Sequence, residues 1–326
     1  MNLHRRTLLT GLAAGAATSL APWAHAQGYP EMPVKWVVPY PAGGGTDVIA
    51  RTLSEAMRPA LGQAVVIDNR PGASTNIGAD LVAKSKPDGY TIMSADNAVL
   101  AFNEHLFGKL PFSPEKDFSY IGAIGRFPLA LVVHPDFPAK DFKEFLAYAK
   151  ANPGKLNYAS PGNGSPHHLA MELFKNRTGT FITHIPYRGA APAMADVMGG
   201  QVPCMFLDLA SGLQIMQSRK VRVLAIGSGV RSKLLPDVPT LAEAGVRDSE
   251  VFAFQGILGP AGLPQNVVAR LNTELNRAFG TAAVQKRFAD IGMEAMPGTP
   301  EQFFTLARAE AKRWGPVIKS AGVKLD

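Results

Sequence analysis

The chain has 326 residues, with 33 Lys or Arg against 26 Asp or Glu, for a formal net charge of +7. Its one cysteine, Cys204, excludes an intrachain disulfide and a cysteine-built metal site, and the absence of any Lys/Arg run argues against a nucleic-acid partner. Without a leader the chain would be about 300 residues long, more than one hydrophobic core usually supports, so two domains are expected.

Residues 1–26 have the form of a secretory signal. His4-Arg5-Arg6 is the basic segment, residues 8–20 are apolar but too short to span a bilayer, and Ala24-His25-Ala26 fits the small-x-small cleavage rule. Export to the periplasm is expected, with cleavage after Ala26. The paired arginines fit a twin-arginine signal as well as an ordinary basic segment, which leaves the route open. Loss of Arg5 and Arg6 lowers the net charge to +5.

The next third alternates strand and helix. Residues 35–39 form a strand, and 47–61 a helix with Ile49, Leu53, Met57 and Leu61 on one stripe. Strands at 64–67 and 90–93 flank a helix at 76–84. Such spacing calls for parallel βαβ units, whose ligands sit beyond the carboxyl ends of the strands. The turn at Gly43, the loop from Arg70 through Ser74 to Asn76, and Ser94-Ala95-Asp96-Asn97 all fall there. The middle third repeats the pattern: one or two strands within 121–133, helices at 142–151, 166–178 and 192–198, and strands at 156–159, 182–185, 202–207 and 221–226. After Pro236-Asp237-Val238-Pro239 the chain is expected to return to the first domain, with helices at 264–279 and 301–320.

The turn Tyr40-Pro41-Ala42-Gly43-Gly44-Gly45-Thr46-Asp47 is the most informative local feature. Glycines let a ligand approach the backbone, and the opening amides of the following helix are unpaired at the positive end of its dipole. That suits a small carboxylate, although a plain tight turn has the same letters. No cofactor is indicated: a dinucleotide fingerprint fails at Val48, and no phosphate-binding loop motif occurs. Asn163-Gly164-Ser165, before the helix at Pro166, offers a second seat, unless Ser165 only caps that helix. His168 and Glu172 share a helix face, but too few further ligands exist for a metal site. Asp208, ending an apolar strand, either faces the cleft or caps the next helix.

Several motifs together resemble the Bug family, the periplasmic solute-binding components of tripartite tricarboxylate transporters. They are the turn with Ala50-Arg51, Asn69-Arg70-Pro71-Gly72-Ala73, Lys86-Pro87-Asp88-Gly89-Tyr90, Ile185-Pro186-Tyr187-Arg188-Gly189, Gly200-Gln201-Val202 and Leu235-Pro236-Asp237-Val238-Pro239-Thr240. The resemblance implies a two-domain α/β periplasmic-binding-protein fold of type II kind, closing by a hinge on a small carboxylate such as a di- or tricarboxylate, aromatic acid or amino acid. It implies a ligand seat at Tyr40, Ala42, Gly43 and Gly44, with Gly164 and Ser165 opposite and Asp208 in the cleft. Two segments depart from the family pattern: Ser94-Ala95-Asp96-Asn97, where Ser-, Thr- and Gly-rich letters are usual and an acid is not, and Ala253-Phe254-Gln255-Gly256, where many members have tryptophan. The domains are expected to be 27–127 with 248–326, and 128–247. The protein is then expected to be a monomeric carrier serving integral-membrane transporter subunits, with no catalytic residues. A sensor subunit, or an enzyme using Asp208, His168 or Asp96 as acid or base, are the rival readings.

Overall fold

The computed structural model describes residues 28–325, so the leader read from residues 1–26 lies outside them. Strand β1 (Val34–Val38) buries every residue except Lys35, the mark of a strand covered on both faces. A Pro/Gly turn leads into α1 (Gly45–Leu61), whose Ile49, Leu53, Met57 and Leu61 are buried and whose end is set by Gly62 in the left-handed region. Then come β2 (Val65–Asn69), a 3₁₀ turn (Ala73–Thr75), α2 (Asn76–Ala83) and β3 (Thr91–Asp96). A π-helical turn (Ala98–Phe102) and α3 (Asn103–Leu106) follow. β1 pairs in parallel with both β2 and β3.

β4 (Phe118–Val133) is a single strand of 16 residues rather than two short ones. The second lobe is built from α4 (Phe142–Ala151), β5 (Asn157–Ser160), α5 (Pro166–Thr178), β6 (Thr183–Pro186), α6 (Ala190–Met198), β7 (Cys204–Asp208), α7 (Leu209–Gln217) and β8 (Arg222–Ile226). β9 (Phe252–Pro260) returns to the first lobe, followed by α8 (Gln265–Phe279), α9 (Ala282–Asp290), β10 (Glu294–Ala295) and α10 (Pro300–Ala321). The sheet order is β2-β1-β3-β9-β4-β7-β5-β6, with β8 and β10 also on β4.

The sheet is mixed rather than wholly parallel. β9 runs antiparallel between β3 and β4. Long β4 belongs to both lobes: it pairs with β9 from Phe118 to Pro128, then with β7 from Leu129 to Val133. α10 spans both lobes as well, packing Phe303, Ala307, Ala311, Trp314 and Ile318 inward against β4, the π-helical turn and α5. The carboxyl ends of β1, β3, β5, β6 and β7 meet in the cleft between the lobes, where an α/β sheet places its ligands.

Candidate ligand cleft

The cleft holds two adjoining chambers. The inner one, about 70 Å³, has Tyr40, Pro41, Phe127, Pro161, Arg188 and Gly189 in its lining. By the volume a water needs, it has room for about five of them. The outer one, about 580 Å³, lies beyond Tyr40, Pro41, Pro161, Arg188 and Gly189, which line both. The lobes meet at this constriction: a Cβ on Gly189 would come within 3.2 Å of Pro41 Cγ. A Cβ on Gly45 would come within 3.2 Å of Asp208 Oδ1 and 3.4 Å of Ala210 Cβ.

Two helix N-termini face the inner chamber. α1 has Gly44 as its N-cap and no side-chain cap, so Gly45 and Thr46 present amides that the helix cannot pair. α6 has Gly189 (φ 113) as its N-cap and again no side-chain cap. The Gly189 N–H is spent on Pro161 O, while Ala190 and Ala191 line the chamber. The first turn is locked by Asp47, which accepts from Gly43 N–H (3.0 Å), Asn69 Nδ2 (3.0 Å) and Arg51. Burial alone would raise the Asp47 carboxyl, but those donors hold it below the usual range.

The polar side chains of the chamber are buried. Asp208 accepts from His167 Nε2 at 2.9 Å and from the Ser211 amide and hydroxyl at 2.7 and 2.6 Å. It therefore caps α7 and lines the cleft together; its burial pushes the carboxyl up, and His167 and Ser211 outweigh that and hold it low. Asp96 accepts from the Tyr40 hydroxyl (2.7 Å) and the Ala98 amide (3.1 Å), which oppose its burial only in part, so its carboxyl is raised. Gln255 donates to Thr46 Oγ1 at 2.9 Å. Arg188 is exposed at the rim with no hydrogen-bond or ion-pair partner among the described residues.

Of the residues expected from sequence, Tyr40, Ala42, Gly44, Asp96 and Asp208 line the inner chamber, and Ser74 and Ser165 the outer. Gly43, Asn76, Asn97, Gly164 and Phe254 line neither. Asn76 accepts from Asn103, which also holds the left-handed turn at Ala73–Thr75. Asn97 ties β3 to β9 through Phe252 O and Phe254 N. The second seat is not free at α5: the Gly164 N–H donates to His168 Nδ1, and Ser165 caps the helix by accepting from His168 N. Phe254 points away from the cleft into the core with Val37, Met93 and Phe303, because strand side chains alternate and its neighbours Ala253 and Gln255 face the chamber. His168 is stacked on His184, with ring centroids 4.0 Å apart, deep in the second lobe. Cys204 is fully buried, and burial pushes its thiol up to about 12.

Sequence reasoning did not assign Thr46, His167, Arg188, Ala190, Ala191 or Gln255 to the cleft. A signal existed for α6: Tyr187-Arg188-Gly189 is a second strand-to-helix turn with glycine at the cap. Starting that helix at Pro192 hid the two amides before it.

Residues 49–323 match the family described as tripartite tricarboxylate transporter family receptor, TctC. Protein BugT of Bordetella pertussis is 36% identical over 326 residues, covering 100% of both chains. Among solved structures, Rpa4515 of R. palustris with adipate aligns with TM-score 0.88 at 34% identity, covering 91% of this chain and 99% of that one. MatC of Rhodopseudomonas palustris with bound malate aligns with TM-score 0.85 at 32% identity, covering 89% and 100%. The periplasmic binding protein BugD aligns with TM-score 0.86 at 36% identity, covering 91% and 99%, and its fold is the one expected from sequence. The chain belongs to the TctC family of tripartite tricarboxylate transporter receptors.

Proposed function

We propose that this protein is an extracytoplasmic solute-binding protein that captures a small carboxylate between its lobes and delivers it to membrane transporter subunits. The observation that carries the reading is the pair of uncapped helix N-termini, of α1 and α6, lining one small chamber. Each offers amides and a positive dipole end, which complement carboxylate oxygens and supply no general base. Relatives with adipate and malate in their structures, both dicarboxylates, support the ligand class.

The moving bodies are 27–127 with 248–326, and 128–247. Support comes from β4, which changes partner between Pro128 and Leu129, and from the contacts across the cleft at Pro41–Gly189 and Gly45–Asp208. A ligand bridging both seats favours the closed arrangement because only that arrangement offers both sets of contacts. The protein acts in the periplasm after cleavage at Ala26, as a monomer; no described helix is long and apolar enough to cross a membrane.

The test is a thermal-shift screen of the chain from Gln27 against small carboxylates. A ligand at 100 times its Kd stabilises the fold by about 2.7 kcal/mol. A shift confined to carboxylates, without turnover of the acid, supports capture; turnover abolished by Asp208→Asn would replace it with the enzyme reading. Silence of the whole panel would contradict the carboxylate reading.

A further inference from the structure

The two helix ends account for a carboxylate, but not for the other polar groups in the same chamber. Gln255 is 2% exposed and His167 8%, and each keeps one buried polar atom, Gln255 Oε1 and His167 Nδ1, with no partner among the described residues. Buried groups in this condition are uncommon and costly. Gln255 uses its amide nitrogen on Thr46, which leaves Oε1 as an acceptor, and His167 Nε2 is paired with Asp208.

Asp96 adds a second acceptor. The residue is 4% exposed, and the Tyr40 hydroxyl and the Ala98 amide occupy about two of its roughly four lone-pair sites. It makes no ion pair among the described residues, whereas Asp47 has Arg51. Within a chamber the size of about five waters, these two acceptors lie beside His167.

We propose that Asp96 and Gln255 form a specificity subsite for an ammonium group, so that the ligand is an aminocarboxylate. This rests on the carboxylate reading above and deepens it. An ammonium has three N–H donors and a charge opposite to that of Asp96, whereas a hydroxyl offers one donor and an unsubstituted carbon none. The carboxylate rests on the amides of Gly45 and Thr46 or of Ala190 and Ala191, and the ammonium turns to the acceptors. Acids lacking a donor leave the Gln255 oxygen unpaired and the Asp96 carboxyl without a counter-charge, and such sites discriminate strongly against them.

The test is isothermal titration of the chain from Gln27 with unbranched three- to six-carbon monocarboxylates and their amino and hydroxy counterparts. The expected result is that one amino acid binds at least 10-fold tighter than both its hydroxy and unsubstituted partners. Asp96→Asn then lowers the ratio of amino to unsubstituted affinity about 10- to 100-fold, as for a lost hydrogen bond to a charged group. Because Asp96 also caps a turn, Gln255→Met is measured beside it and lowers the same ratio. Equal or tighter binding of the hydroxy or unsubstituted acids, or a ratio unmoved in both variants, overturns the subsite and leaves the carboxylate reading standing. Failure of every acid, together with silence in the wider carboxylate screen, overturns both.

Discussion

At the scale of single residues, burial decides what each polar group can do. His168 and His184 stack against each other and Tyr158 beneath the cleft, with Glu172 bonded to Tyr158 and Lys175 nearby. Burial, with Lys175 adding to it, lowers His168 to about 4; burial and then His168 lower His184 to about 3. Both folded values lie below the ordinary 6.5, so the folded chain resists protons that the unfolded chain accepts. Stability is therefore whole above pH ~6.5 and falls as pH drops from there towards about 4, by about 3 kcal/mol for His168 alone. Asp47 and Asp208, held low, add their own loss only below pH ~4. Denaturant melts across this range should show the decline, and His168→Gln should flatten it; a flat profile in the parent chain would contradict the assignment. The sequence showed Asp96 and Asp208 at strand ends, where position alone points to a cleft. It did not show that Gln255 rather than Phe254 faces it, because one residue of register in β9 exchanges the two faces.

At the scale of elements, the strand-turn-helix units were readable because apolar periodicity and glycine turns are local signals. β9 was not: Gly256 and Gly259 interrupt its apolar run, and glycine normally weakens a strand. The reason is tertiary, since a Cβ at Gly256 would come within 2.0 Å of the Phe303 ring, which α10 places against the strand. The seat at α5 failed for a related reason: whether a helix end is free depends on its neighbours, and His168 takes the Gly164 amide. The α1 end is free, and Gly45 is the point where it meets the second lobe. Gly45→Val places methyl groups against Asp208 and Ala210 when the lobes close. Overpacking of 1–3 kcal/mol corresponds to about a 10- to 100-fold loss of ligand affinity, measured by titration, with cooperative unfolding of the unliganded variant retained. Unchanged affinity would remove the α1 end from the site.

At the scale of the whole molecule, β4 and α10 tie two lobes that also meet across the cleft. The lobes approach each other at Pro41–Gly189 and Gly45–Asp208, where the small inner chamber adjoins the larger outer one. The exposed Arg188 stands at that junction and belongs to both chambers. The division into two lobes follows from chain length and from the alternation of elements. Their closed contact could not be read from the sequence, because it depends on residues more than a hundred positions apart.

The central claim is that a carboxylate sits between two helix ends in the closed cleft. A crystal structure of the chain from Gln27 with an acid identified by the screen tests it most directly. The account predicts carboxylate oxygens about 2.7–3.2 Å from the amide nitrogens of Gly45 and Thr46 or of Ala190 and Ala191, directly or through one bridging water, with the lobes in contact at Pro41 and Gly189. A carboxylate held by the Arg188 guanidinium in the outer chamber, with both helix ends unoccupied, would contradict it.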